Sequence, residues 1–210
     1  RKNKMHQTRS EAIRALPLPR KGTKYVARGL SHAHSGVPVV IAVRDMLGLA
    51  KTAREVREMV KNKMIKINGK DVREIREAVR LFNILHVGKN YRLTILPTGR
   101  FSLEETKDNF RMCKVIGKKM LSGKKIQINL HDGTNIVSKE KASVGDTFEL
   151  DFSGKVKKII SMDKGKEAFV ISGRSIGHSG KIKSVSGLNI TVNLDNGKEV
   201  ELDKTHLIAI

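Results

Sequence analysis

The stretch TAREVREMVKNKMIKINGK, Thr52 to Lys70, decides how the first half of the chain folds. Thr52 and Glu55 form a T-x-x-E capping box, whose hydroxyl and carboxylate can satisfy N–H groups that a helix start leaves unpaired. Ala53, Val56, Met59 and Val60 recur at helical spacing and predict a buried stripe. Arg54, Arg57 and Lys61 stand at i, i+3 and i+7, on a shared face. Ile65 and Ile67 then alternate with Lys66 and run into Asn68-Gly69, which tolerates the positive φ angles of a two-residue hairpin turn. Val72 and Ile75 are expected to continue the far strand. Upstream, Pro38 is expected to open a first helix through VVIAVRDMLG that stops at Gly48. Packed apolar side to apolar side, helix and hairpin leave Arg54, Arg57, Lys61, Lys66 and Lys70 pointing outward, a rigid cationic surface suited to phosphates. The competing reading is a solvated helix face whose cations pair with Glu55 and Glu58. Residues 37–88 hold 11 bases against 6 acids, so that compensation is partial.

The whole chain shares this excess. Its 210 residues carry 42 Lys+Arg and 21 Asp+Glu, a formal net charge of +21. Such a charge repels itself unless a polyanion shares the surface, which puts nucleic acid ahead of an anionic membrane. No membrane partner is expected: the longest apolar run, Val37 to Val43, is far short of the ~20 residues a span needs, and no charged-then-apolar leader opens the chain. The lone Cys113 excludes an intrachain disulfide and a CxxC zinc knuckle. Flanked by Met112, Val115 and Ile116, it reads as core filler in a reducing cytoplasm. Aromatics are scarce, with two Tyr, six Phe and no Trp. Proteins that stack unpaired bases use aromatic platforms, so this composition favours phosphates and the shape of folded RNA.

Four segments are expected. Residues 1–36 hold nine Lys/Arg and one acid, Glu11, with few large apolar side chains. They read as a basic arm, with Arg20, Lys21, Lys24 and Arg28 spaced for a polyanion, that orders against its partner. Residues 37–98 contain the helix–helix–hairpin unit. Residues 99–166 read as a strand-rich central domain: Ile126, Ile128 and Leu130 alternate before His131-Asp132-Gly133, and Phe148, Leu150 and Phe152 before Ser153-Gly154. Pro97-Thr98-Gly99 ends YRLTIL in a turn, and SLEETKDNF predicts a short helix capped by Ser102. Residues 167–210, with five bases and five acids, read as a small barrel of short strands.

RDMLGLAKTAREVREMVKNKMIKINGK (44–70) resembles the S-four-type RNA-binding module, a helix–helix–hairpin unit. That module's usual Gly-x-Val-x-Val-Asn/Asp-Gly is matched at Ile65, Ile67, Asn68 and Gly69, but its first glycine is here Lys63. FVISGRSIGHSGKIKSV (169–185) is similar to a KOW motif, with small residues at Gly173, Gly177 and Gly180 followed by Lys181. With HSGVPVVIAVRDMLGLAKTAREV (34–56) and CKVIGKKMLSGKKIQINLHDGTNI (113–136), the order of segments resembles the archaeal and eukaryotic small-subunit ribosomal protein family S-four-e. The resemblance implies an α+β multidomain chain: the small module, an antiparallel β central domain and a C-terminal SH3-like KOW β-barrel. It implies a structural role on small-subunit rRNA beside neighbouring ribosomal proteins, with no cofactor and no small-molecule substrate. Multi-point clamping is the expected mechanism: Arg54, Arg57, Lys61, Lys63, Lys66 and Lys70 on the module, Arg20, Lys21, Lys24 and Arg28 on the arm, and Arg174, His178, Lys181 and Lys183 at the KOW-like loop.

An RNA-modifying enzyme also carries S-four-type modules, yet the nearest match to a catalytic Gly-Arg-Leu-Asp is Gly99-Arg100-Phe101-Ser102, where a hydroxyl replaces the carboxylate. No nucleotide-binding G-x-x-x-x-G-K-[ST] loop is present. His32 and His34 lack a nearby carboxylate or thiol to complete a metal set. A transient assembly or transcription factor is the third reading; release from small subunits at moderate salt would favour it.

Overall fold

In a computed structural model the chain is described over residues 6–31, 33, 35–121, 125–138 and 142–210. It divides into two compact units, residues 1–108 and 109–210.

In the first unit, strand β1 (His6–Thr8) pairs antiparallel with β2 (Tyr25–Ala27). Strand β3 (Gly36–Pro38) leads into helix α1 (Val39–Ile41), with Pro38 as its N-cap, and then a π-turn Ala42–Met46. The helix expected from Pro38 to Gly48 is thus present but underwound: Leu47 N–H donates to Ala42 O, and Gly48 ends it at φ +64°. Helix α2 (Ala53–Lys61) follows and packs on that π-turn. Val37, Val39 to Val43, Val56 and Val60 are all buried. Strands β4 (Ile65–Ile67) and β5 (Lys70–Asp71) form the hairpin, with Ile67 opposite Lys70. Asn68 at φ +50° and Gly69 at φ +77° turn it, as the Asn-Gly pair predicts. β5 stops at Asp71, so Ile75 does not extend it: Val72 is buried and Ile75 lies in the loop before β6 (Ala78–Arg80), which pairs with β3. β7 (Ile84–Val87), β8 (Lys89–Ile95) and β9 (Phe101–Glu105) complete a five-stranded antiparallel sheet in the order β5-β4-β7-β8-β9.

SLEETKDNF is not a helix, because Phe101 and Leu103 sit opposite Ile95 and Leu93 of β8 and Phe101 is buried. Cross-strand burial overrides the local Ser-x-x-Glu helix signal. For the same reason a boundary at residues 98/99 would cut the β8–β9 hairpin; the chain divides after Asp108. Residues 6–31, expected to be an arm that orders against its partner, are packed on their own unit: Leu16 is 4% exposed, Phe101 N–H donates to Ala15 O, and Leu30 N–H to Arg76 O.

The second unit opens with the 11-residue β10 (Phe110–Met120). Its first half pairs with β13 (Thr147–Asp151) and its second half with β11 (Ile126–Leu130), across a bulge at Ile116. With β12 (Asn135–Ser138) and β14 (Val156–Ile160) the sheet order is β12-β11-β10-β13-β14. Its core is Cys113, Val115, Ile128, Leu130, Phe148 and Leu150. A second antiparallel sheet follows in the order β18-β17-β16-β15-β19, formed by β15 (Glu167–Val170), β16 (Ser179–Ser186), β17 (Asn189–Leu194), β18 (Glu199–Asp203) and β19 (Leu207–Ala209). Residues 167–210 are not a separate body: Ile160 and Met162 belong to their core.

A buried lysine joins the two sheets. Lys114 of β10 is 4% exposed, and its ammonium donates to Lys204 O at 2.6 Å, Thr205 O at 3.0 Å and Leu207 O at 2.6 Å. Burial, then the charge of Lys204, push its pKa down to about 8 against the pull of Asp203. On the same strand, Arg111 pairs with the buried Asp132, whose carboxylate also accepts from the Thr134 N–H at 2.9 Å and hydroxyl at 2.6 Å. Burial works to raise the Asp132 pKa, but Arg111 and the Thr134 donors outweigh it and hold it below the carboxylate range. Cys113 lies against the same carboxylate, and burial pushes its thiol well up.

Candidate nucleic-acid interface

The capping box forms with one substitution of partner. Glu55 N–H donates to the Thr52 hydroxyl at 3.2 Å, while the Glu55 carboxylate accepts from Lys51 N–H at 2.8 Å and Thr52 Oγ1 at 3.0 Å. The Lys51 and Thr52 donors lower the Glu55 pKa. Committed to the cap, Glu55 does not serve as a counter-ion for the helix cations. Arg54, Arg57, Lys61, Lys63 and Lys70 are exposed, and among the described residues none makes an ion pair. Lys66 is the exception, 3.7 Å from Asp71. The reading of a helix face laced with Glu55 and Glu58 pairs is therefore not what the structure shows.

Lys63 stands at φ +55° and ends α2 in a Schellman arrangement: Lys63 N–H donates to Val60 O at 3.0 Å and Met64 N–H to Met59 O at 3.0 Å. This is the backbone conformation that glycine adopts without strain. The position keeps the left-handed turn of a Gly-x-Val-x-Val pattern while adding a cation.

A cleft of about 950 Å³ opens between α2 and the N-terminal segment. It gathers Lys21 from the segment with Arg57 and Lys61 from α2, and adds Arg9, Arg73 and Tyr25, which sequence reasoning had not selected. Arg54 and the hairpin lysines do not line it. Of the other arm cations, Arg20 is exposed, Arg28 is partly buried, and Lys24 lies over the Tyr25 ring at 5.4 Å. No spacing rule connects Arg9, Tyr25 and Arg73, because only the fold-back of the segment brings them together.

In the second unit the loop 171–178 is closed by Gly177 N–H to Val170 O and Val170 N–H to His178 O, both 2.9 Å. Gly173 and Gly177 take φ of +95° and +79°. Gly180 serves the protein's own packing: a Cβ there would stand 2.3 Å from Asn193 O of β17. Arg174 and Lys181 are exposed and His178 is partly buried. Lys183, expected to contact RNA from the KOW-like loop, donates to the Glu199 carboxylate at 2.8 and 2.9 Å. His32 and His34 lie outside the described residues. Among the described residues no cluster of three or more His, Cys, Asp or Glu is placed to hold a metal, and no helix is long and apolar enough to cross a membrane.

Residues 87–156 match the model of the ribosomal family S4e. A small ribosomal subunit protein eS4 from Methanocella arvoryzae is 31% identical over 86% of this chain and 80% of its own length. The chain belongs to the ribosomal S4e family. The eS4 of Methanocaldococcus jannaschii is 29% identical over 99% of this chain and 94% of its own length. The crystal structure of the 30S ribosomal protein S4e from Thermoplasma acidophilum superposes with a TM-score of 0.71 at 27% identity, covering 84% of this chain and 95% of that one. The family model reaches from the last residue of β7 into β14, so neither α2 nor the loop 171–178 is part of the matched stretch.

Proposed function

We infer that this chain is a structural constituent of the small ribosomal subunit, bound to folded small-subunit rRNA in the cytoplasm. Its relatives are named as small-subunit proteins. The observation that carries the binding mode is the set of exposed, unpaired cations on α2 and its hairpin, left without counter-ions by Glu55's commitment to the cap. Phosphates are the natural counter-ions, and each one neutralised releases condensed ions from the RNA. Arg54, Arg57, Lys61, Lys63 and Lys70 would grip the backbone from the module, Arg20, Lys21, Lys24 and Arg28 from the N-terminal segment, and Arg174, His178 and Lys181 from the second unit, whose 167–210 sheet we read as an SH3-like barrel. Contacts at several points on one RNA raise effective concentration, so each can be weak. The balanced charge of residues 167–210, with Leu188 70% exposed at the β16–β17 turn, suits that sheet to a neighbouring ribosomal protein.

The test is the salt dependence of affinity for small-subunit rRNA. Replacing Arg54, Arg57 and Lys61 together with Ala should flatten the slope of log K against log salt by about 2 to 3, since each phosphate contributes roughly 0.7–0.9. An unchanged slope would remove this face from the interface.

A further inference from the structure

We propose that the cleft between α2 and the N-terminal segment takes an extruded RNA nucleotide, its base on Tyr25 and the apolar floor and its phosphates on the rim cations. This rests on the RNA-binding reading and adds to it a ligand that composition argues against, because the chain has so few aromatic platforms. One of those few stands in the cleft. Tyr25 is 51% exposed, whereas every other Tyr and Phe is buried or partly buried. His6 packs T-shaped against its ring at 4.6 Å and the Lys24 ammonium lies over it at 5.4 Å, contacts that still leave the residue half exposed.

The rest of the cleft fits the same ligand. Val40, Ile41, Val60 and Ile75 supply an apolar floor. Two acids reach the lining, but each is answered from within it: Asp45 by Arg44 at 2.8 Å and Glu74 by Arg76. Arg9 is spent on the segment's own turn, donating to Pro19 O and to Thr23 O. That leaves Lys21, Arg57, Lys61 and Arg73 without an ion-pair partner among the described residues, four cations around an apolar floor with one aromatic wall. A purely phosphate-reading groove has no use for the floor, and an apolar ligand has none for the cations; a nucleotide uses both. The volume, about 950 Å³, lies within the roughly 300–1,000 Å³ of pockets that enclose small organic ligands.

The experiment uses the full chain and three synthetic RNA hairpins of equal length: one with a single bulged adenosine, one with the same bulge abasic, and one fully paired. Fluorescence anisotropy at 0.1 M salt gives the three affinities. The bulged adenosine should bind about tenfold more tightly than either control, the size that stacking on one aromatic side chain supplies. Tyr25→Leu should abolish that preference, and Tyr25→Phe should keep it; a preference that survives Tyr25→Leu would overturn the proposal. Equal binding of all three hairpins would overturn the cleft proposal while leaving the phosphate clamp standing. Equal binding of the base-bearing and abasic bulges, both above the paired hairpin, would also overturn it, since backbone shape alone would then be read. Failure to bind any of the three would overturn the RNA-binding reading and the cleft with it.

Discussion

Lys114→Met removes the ammonium between the two sheets of the second unit while keeping most of the side chain's volume. Three carbonyls at 2.6, 3.0 and 2.6 Å lose their donor, and that of Leu207 lies in buried β19. An orphaned buried acceptor costs roughly 1–3 kcal/mol, and relief from burying a charge offsets part of the sum. The net loss should be about 3 kcal/mol, on the order of 15 °C in the melting temperature of a unit this size. Thermal and urea unfolding, followed by scanning calorimetry, measure it. The loss should also depend on pH. Lys114 titrates at about 8 in the fold and near 10.5 when unfolded, so between these values the unfolded chain holds a proton that the native one does not. Wild-type stability therefore rises with pH across that window and is flat, for this group, below it. The methionine variant has nothing to titrate there, so its deficit should widen by about 2 kcal/mol from pH 8 to 10.5, after allowance for solvent screening. A variant within about 1 kcal/mol of wild type would refute the claim that Lys114 fastens the sheets, and a deficit independent of pH would refute the lowered pKa of its ammonium.

Other substitutions test other parts of the fold. Lys63→Gly relieves a left-handed residue and should stabilise the first unit by up to about 1 kcal/mol while lowering RNA affinity; a lower melting temperature would contradict the Schellman reading. Gly180→Ala drives a methyl to within 2.3 Å of Asn193 O and should cost more than about 2 kcal/mol in urea denaturation, independent of RNA. Asp132→Ala strands Arg111 in the interior and should cost about 3–5 kcal/mol. Because the Asp132 carboxyl is held below its ordinary range, its contribution is complete at neutral pH and fades only as acid protonates it, so the deficit should shrink in acid titrations.

What could be read from the sequence was local. Thr52-x-x-Glu55 and Asn68-Gly69 specify their cap and turn with residues at most three apart, and both stand as expected. Ser102-x-x-Glu105 carried a similar helix signal and failed, because the pairing of Leu103 with Leu93 lies outside any short window. The departure at Lys63 from the glycine pattern was visible, yet only coordinates reveal that the lysine adopts glycine's conformation. Lys114 reads as one charge among 42, since the carbonyls it serves lie 90 to 93 residues away. The cleft was hidden for the same reason: Tyr25 and Arg73 belong to segments that no periodicity links.

The single cysteine gives the protein its own unfolding reporter. Cys113 is wholly enclosed beside Asp132, and its thiol is held protonated by that burial, so an alkylating reagent must wait until the second unit opens. The rate at which one equivalent of label enters the unmodified protein therefore clocks that opening directly, with and without RNA, and needs no engineered probe.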